Sequence, residues 1–271
     1  MRRFLLFGVV FGLFVTAFFR IPASAQNYAR GQDISPTFDG WQRNADGTFT
    51  FYYGYYNRNS QQAVDVPVGP DNTLDVGGDR GQPTHFYPSR RWWVFKVVVP
   101  ADWPKDRRLV WTLTTFGKTN QAKAWLQPEW EVDDDLISKN GERDPFLMTN
   151  GPGDRDTDPD NIPPTITIAD VPPARVSEPI TLAATATDDA RPKVIPDPSG
   201  RLEQGIRVRW ILHRGPGTVT ISPDAMPAGV NAKTATLTSK AQFSAPGAYQ
   251  LRAIASDGQA FTTRDITVTV R

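Results

Sequence analysis

Thr48-Phe49-Thr50-Phe51-Tyr52-Tyr53-Gly54-Tyr55-Tyr56-Asn57 is the stretch that decides the fold class. Phe49, Phe51, Tyr53 and Tyr55 recur at every second residue. An extended strand therefore sends them to one face and Thr50, Tyr52 and Tyr56 to the other. The preceding Asn44-Ala45-Asp46-Gly47 has turn chemistry and predicts where the strand begins. The same period returns in Trp92 to Val99, which predicts Trp93, Phe95, Val97 and Val99 on one face and Lys96 on the other. It returns again in Leu109 to Thr115, where Leu109, Trp111 and Leu113 share a face. After the turn Phe116-Gly117-Lys118-Thr119-Asn120 a further strand is predicted near Ala122 to Leu126. Pro67, Pro70, Pro83, Pro88, Pro100 and Pro104 fall between these runs, where a missing N–H is tolerated. No segment carries a helical stripe, so short strands parted by turns predict an antiparallel sandwich.

Outward from that stretch the composition divides the chain. Seven of the eight Trp and six of the seven Tyr lie between residues 28 and 130. Beyond them come Asp133-Asp134-Asp135 and then Asp154-Arg155-Asp156-Thr157-Asp158-Pro159-Asp160, polar and proline-broken as linkers are. The remainder alternates cleanly in Thr165–Ile168, Ile180–Ala186, Ile206–Leu212, Gly217–Ile221, Thr234–Thr238, Ala248–Ala255 and Asp265–Val270. That is about the seven strands of a sandwich. The expectation is an all-β chain, with two Ig-like antiparallel β-sandwich modules in tandem after an N-terminal signal peptide. An aromatic-rich module spans 26–132, an acidic Pro/Gly-rich linker 133–160, and a second module 161–271.

The first 25 residues read as an address. Arg2 and Arg3 precede an apolar run from Phe4 to Phe19, Ile21-Pro22 breaks it, and Ala23-Ser24-Ala25 precedes Gln26. This is the layout of a secretory signal peptide cleaved after Ala25. Sixteen residues at 1.5 Å each fall short of a ~30 Å hydrocarbon core, which disfavours the alternative of an uncleaved anchor. Lys+Arg is 30 against Asp+Glu 29; removing 1–25 leaves 27 basic and 29 acidic residues, with neither half polarised. Nucleic acid and anionic membranes are therefore poor partners, and no later run predicts a membrane span in the mature chain. The expected location is outside the cytoplasm: periplasm, cell surface or extracellular space. Having no Cys excludes a disulfide framework, a thiolate metal site and a thiol nucleophile.

Trp210 in mid-strand, Gly215-Pro216-Gly217 after it, and Gly247-Ala248-Tyr249-Gln250-Leu251-Arg252-Ala253-Ile254-Ala255-Ser256-Asp257-Gly258 resemble an Ig-like domain of the PKD type. The resemblance covers roughly residues 161–271 and puts Tyr249 where a tyrosine corner would sit, its hydroxyl tied back to the chain. The common PKD pattern has Trp-x-Phe-Gly-Asp-Gly, whereas here Ile211-Leu212-His213-Arg214 follows the Trp. The likeness implies architecture and a spacer or binding role, not catalysis. Gly54-Tyr55-Tyr56-Asn57-Arg58-Asn59, Pro67-Val68-Gly69-Pro70-Asp71-Asn72 and Asp79-Arg80-Gly81-Gln82-Pro83-Thr84 resemble a β-domain of uncharacterised secreted bacterial proteins. That resemblance covers residues ~26–150 and implies location but no chemistry.

Chemistry has few places to reside. His85 and His213 are the two histidines, and no Gly-x-Ser-x-Gly, His-Glu-x-x-His or phosphate-binding loop is present. Packing explains either histidine better than general-base work does. Glu129, Glu131 and Asp133 to Asp135 form the densest acidic cluster, read as solvated rather than as a glycosidase pair. Asp154, Asp156 and Asp158 have the alternation of a calcium loop, and Asp160 and Asp188 could complete a looser calcium site at the linker. Pro159 stands where an EF-hand needs Gly, so the alternative is a flexible acidic linker and no cofactor. The aromatics of the first module are too many for one interior. Tyr52, Tyr56, Trp92 and Trp103 are therefore the expected binding residues, unless loops cover the outer face. The expected function is a secreted, non-catalytic binding or structural module of the cell envelope or extracellular space, its partner an envelope or extracellular protein. The alternative is a carbohydrate-binding accessory protein for polysaccharide. A third reading, a hydrolase with loop carboxylates, finds no activated constellation.

Overall fold

The computed structural model describes residues 28–141, 143–150 and 157–271; the signal peptide expected over 1–25 lies outside them. The first module runs through β1 (Ile34–Arg43), β2 (Phe49–Asn57), β3 (Val64–Asp65), β4 (Asn72–Leu74), β5 (His85–Phe86), β6 (Ser89–Val99), β7 (Leu109–Thr115) and β8 (Lys118–Ala124). Its antiparallel sheets are ordered β1-β2-β6 and β4-β7-β8, with β3 and β5 paired separately. The alternation of β2 is obeyed: Phe49, Phe51, Tyr53 and Tyr55 are buried in the core and Tyr56 is exposed. Tyr53 stacks on Phe95 at 5.0 Å and meets Trp111 edge-on, which joins the two sheets. Its buried hydroxyl donates to Leu109 O at 2.9 Å, as a buried phenol requires.

β1 had no sequence signal. Ile34-Ser35-Pro36-Thr37-Phe38-Asp39-Gly40-Trp41 carries Pro, Asp and Gly instead of an alternation. It pairs with β2 across a bulge between Phe38 and Gly40, where Gly40 adopts φ 140°. A Cβ at Gly40 would collide with the Val132 side chain, so glycine serves both conformation and packing.

A helix, α1 (Asp134–Gly141), occupies part of the segment expected as linker. The run Asp133-Asp134-Asp135 is its start. Asp133 Oδ1 accepts the Leu136 N–H at 2.8 Å, and Asp134 and Asp135 sit in the first turn, where the helix dipole favours negative charge. Downstream, Leu147 and Met148 are buried with Trp93, Val132 and Ile254 in a cluster to which both modules contribute.

The second module contains β9 (Thr165–Ile168), β10 (Ile180–Thr187), β11 (Arg207–Arg214), β12 (Val219–Ser222), β13 (Thr234–Phe243), β14 (Gly247–Ser256) and β15 (Phe261–Val270). Its sheets are ordered β12-β13-β10-β9 and β11-β14-β15, all antiparallel. That is the strand order of a constant-type immunoglobulin domain. Trp210 lies in the core at 1% exposure, and the Tyr249 hydroxyl donates to Ala245 O at 3.0 Å, closing a tyrosine corner. The chain is all-β in class, with α1 and a short 3-10 turn at Pro128–Trp130 as the helical elements among the described residues.

Candidate functional site

β6 departs from the face assignment its alternation predicts. The β2–β6 register shifts between Tyr53 and Tyr55, and Trp93 takes φ 55°, so the strand bulges opposite Gly54. A Cβ on Gly54 would occupy the space of Arg91 O and the Asp39 carboxylate; glycine is needed for close approach. Phe95 stays in the first core, whereas Trp93 turns out to meet Tyr52 edge-on at 5.5 Å and Trp92 at 6.0 Å. The expectation that Trp93 shares a face with Phe95 is thereby corrected, and both neighbouring indoles reach the seam between the modules.

A bulge frees backbone N–H groups from the ladder, and two buried acids take them. Asp39 Oδ2 accepts the Trp93 N–H at 3.0 Å and Asp144 Oδ2 accepts that of Trp92 at 3.1 Å. Each acid pairs with one of two consecutive arginines: Asp39 with Arg90 at 2.5 Å, Asp144 with Arg91 at 2.8 Å. Burial raises both carboxyl pKa values, and the paired guanidiniums and the backbone donors offset only part of that rise. The Arg90 guanidinium lies 3.9 Å above the Trp92 ring, and that of Arg91 lies 3.8 Å above Phe146. Arg90-Arg91-Trp92-Trp93 is thus held by partners 51 and 53 residues away, a distance no local pattern reports.

The seam continues in direct bonds between the modules. The Leu212 N–H donates to the Tyr87 hydroxyl at 2.9 Å, and Thr84 N–H to His213 O at 3.2 Å. Arg214 grips Asp79 through two bonds of 2.6 and 2.9 Å; these bonds hold the Asp79 carboxyl below its usual range. His213 Nε2 lies 3.1 Å from Gly81 O and 3.4 Å from Arg252 Nη2. Burial, then the neighbouring Arg252 charge, push its pKa down to about 3, and the ring is neutral. A cavity of about 30 Å³ sits inside the seam between Arg91, Trp92, Phe146 and His213, room for one water.

Beside it opens a groove of about 530 Å³. It is lined by Tyr52, Trp93 and Lys96 of the first module, by Gln250, Arg252, Phe261 and Asp265 of the second, and by Asp134 and Ile137 of α1. Tyr52 is fixed by a relay: its hydroxyl donates to Gln42 Oε1 at 2.8 Å, and Gln42 Nε2 donates to Asp134 Oδ1 at 2.9 Å. Asp265 accepts from Arg252 Nε, Arg252 Nη2 and Gln250 Nε2 at 2.7, 2.9 and 3.0 Å. Burial opposes its ionisation, but the hydrogen bonds and charge of Arg252 prevail and hold the pKa low.

Of the four aromatics expected to bind, Tyr52 lines this groove, Trp92 lies under Arg90 in the seam, and Tyr56 is 44% exposed on the outer face. Trp103 is a correction. It is buried edge-on against Phe51 with Arg107 over its ring, so it offers no face to a ligand. Of the expected calcium set, Asp158, Asp160 and Asp188 are described. Asp154 and Asp156 lie outside the described residues, and Asp158 and Asp160 share the guanidinium of Arg191 at 2.7 and 3.3 Å, a cation already in place. Asp188 instead neighbours Asp189 and Asp257, and burial with those charges raises its pKa to about 6. Among the described residues no three acids or histidines form a metal-binding group. His85 pairs with Asp65 at 2.6 Å and packs edge-on against Tyr87, whose hydroxyl is taken by Leu212.

The seam had one readable signal. Leu251-Arg252-Ala253-Ile254-Ala255-Ser256 is buried at four consecutive positions, 253 to 256, and a continuous apolar run marks a strand covered on both faces.

Compared with known proteins, the chain matches no family model, and no curated protein matches it. Solved structures with similarity include domains 4 and 5 of the S-layer protein SbsC, at 13% identity and TM-score 0.25, covering 88% of this chain and 98% of that one. The fibronectin(III)-like modules of Clostridium thermocellum CbhA match at 10% identity and TM-score 0.24, covering 87% and 94%. A CARDB domain from Pyrococcus furiosus, in complex with di-metal ions, matches at 16% identity and TM-score 0.22, covering 43% and 100%. At these TM-scores the similarities carry no functional argument. No helix among the described residues is long and apolar enough to cross a membrane.

Proposed function

We propose that this chain is a secreted, non-catalytic binding protein of the cell envelope or extracellular space, in which two β-modules act as one body. The observation that carries the reading is the welded seam: Tyr87–Leu212, Thr84–His213 and Arg214–Asp79 fix the modules and so fix the walls of the groove between them. A spacer needs only end-to-end linkage, whereas a ligand site at a module junction needs constant geometry. The strand order and tyrosine corner support a PKD-type second module that orients the first. The signal-peptide layout of residues 1–25 supports export.

The test is expression of the full chain in a bacterial host with a C-terminal tag, followed by fractionation and mass spectrometry of its N-terminus. Export predicts a product beginning at Gln26 in the periplasmic, surface or medium fraction. A cytoplasmic product retaining residues 1–25 overturns the reading.

A further inference from the structure

Resting on that reading, we propose that the groove between the modules binds a neutral oligosaccharide. Its volume of about 530 Å³ falls inside the roughly 300–1,000 Å³ typical of ligand pockets. Its charges cancel: Lys96 and Arg252 stand against Asp134 and Asp265, so no net field draws in an ion. What remains is a mixture of strong acceptors and donors around aromatic rings. A sugar hydroxyl donates and accepts at once, and so satisfies carboxylates and cationic donors together. The apolar face of a pyranose ring packs on an aromatic side chain, here Tyr52 or Phe261. Both Tyr52 and Asp265 are oriented before any ligand arrives, the first by Gln42 and Asp134, the second by Arg252 and Gln250. Such pre-organisation lowers the entropic cost of binding.

A peptide is the competing occupant, since β6 is an edge strand along the groove. Two features block strand addition there. Arg252 Nη1 already donates to Val94 O, and Lys96 projects from the middle of that edge, a device that sheets use against pairing.

The experiment is calorimetric titration of the full mature chain with neutral hexasaccharides of glucose, mannose and galactose, and separately with an extended valine-threonine peptide. Lys96→Ala and Phe261→Ala are run alongside, each verified by an unchanged cooperative melt. At least one hexasaccharide binds, with an affinity little altered by high salt, and each variant binds it at least tenfold more weakly. Binding of no hexasaccharide at millimolar concentration, binding unaffected by both variants, or binding of the peptide alone overturns the proposal. Any of those results leaves export and the welded seam standing, whereas an unprocessed cytoplasmic product would overturn the reading beneath it.

Discussion

β13 and β6 are both long strands, and they treat their outer faces in opposite ways. β13 alternates exposed and buried positions without a break from Thr234 to Phe243, one face in the core and one in water. β6 keeps that rule only from Phe95 onward; before it, the outer face meets the second module, and the strand bulges to bring two indoles onto it. A strand facing water needs nothing beyond its ladder. One facing another module must also satisfy every polar group the second burial strips of solvent, and here acids from elsewhere in the chain do so.

The sharpest way to break that contrast is Asp144→Ala. It leaves the buried Arg91 guanidinium and the Trp92 and Phe146 N–H groups without their acceptor. Removing one partner of a buried pair costs about 3–5 kcal/mol. Urea unfolding should show that loss, and the single transition of the welded chain should split in two as the modules part. Trp93→Ala follows, with a cost of about 3 kcal/mol for an indole removed from a buried cluster. Its control is Thr238→Ala on the exposed face of β13, which should change stability by no more than about 0.5 kcal/mol. Equal effects at the two sites would dissolve the distinction between the strands.

Legibility follows the same division. Wherever one face is dry and the other wet, residue type carries the answer, so β2, β7 and the strands of the second module were readable, as was the corner at Tyr249. β1 was not, because Pro36, Asp39 and Gly40 are there to make a bulge and supply a buried carboxylate, both tertiary duties. Helix α1 was hidden because its start is a run of three aspartates, and the cap that explains them needs Asp133 placed against Leu136. The groove was half visible. Tyr52 pointed to it, but Lys96, Arg252, Phe261 and Asp265 belong to three strands and meet only when the modules dock.

Acid should loosen the seam through His213. Its folded pKa of about 3 lies below the ordinary 6.5, so the unfolded chain takes up the extra proton and stability falls as the pH drops from about 6.5 toward about 3. By pH 5 the loss is on the order of 2 kcal/mol, from 1.36 kcal/mol per pH unit. His213→Asn should flatten that limb; wild type and variant losing stability in parallel between pH 7 and pH 5 would remove His213 from the account. Tyr249→Phe probes the second module alone. It forfeits one hydrogen bond to Ala245 O, worth about 1 kcal/mol, and should leave a single transition, because the corner lies inside one core.

The smallest effect runs with the opposite sign and belongs to Asp188. Its folded pKa, raised to about 6 by burial and by Asp257 and Asp189, lies above the ordinary 3.8, so the folded chain is the better proton binder. Stability therefore declines as the pH rises from about 3.8 to about 6, and at neutral pH three neighbouring carboxylates repel. Asp188 is only part-buried, and solvent screens much of that repulsion. Asp188→Asn keeps an acceptor for the Ala190 N–H while removing the charge. It should raise the melting temperature slightly at pH 7.5 and lose the advantage below pH 4. A variant less stable than wild type at pH 7.5, with wild type stabilised by added calcium, would instead mean that these acids are held for a cation, and the second module would then owe part of its strength to something other than its alternating strands.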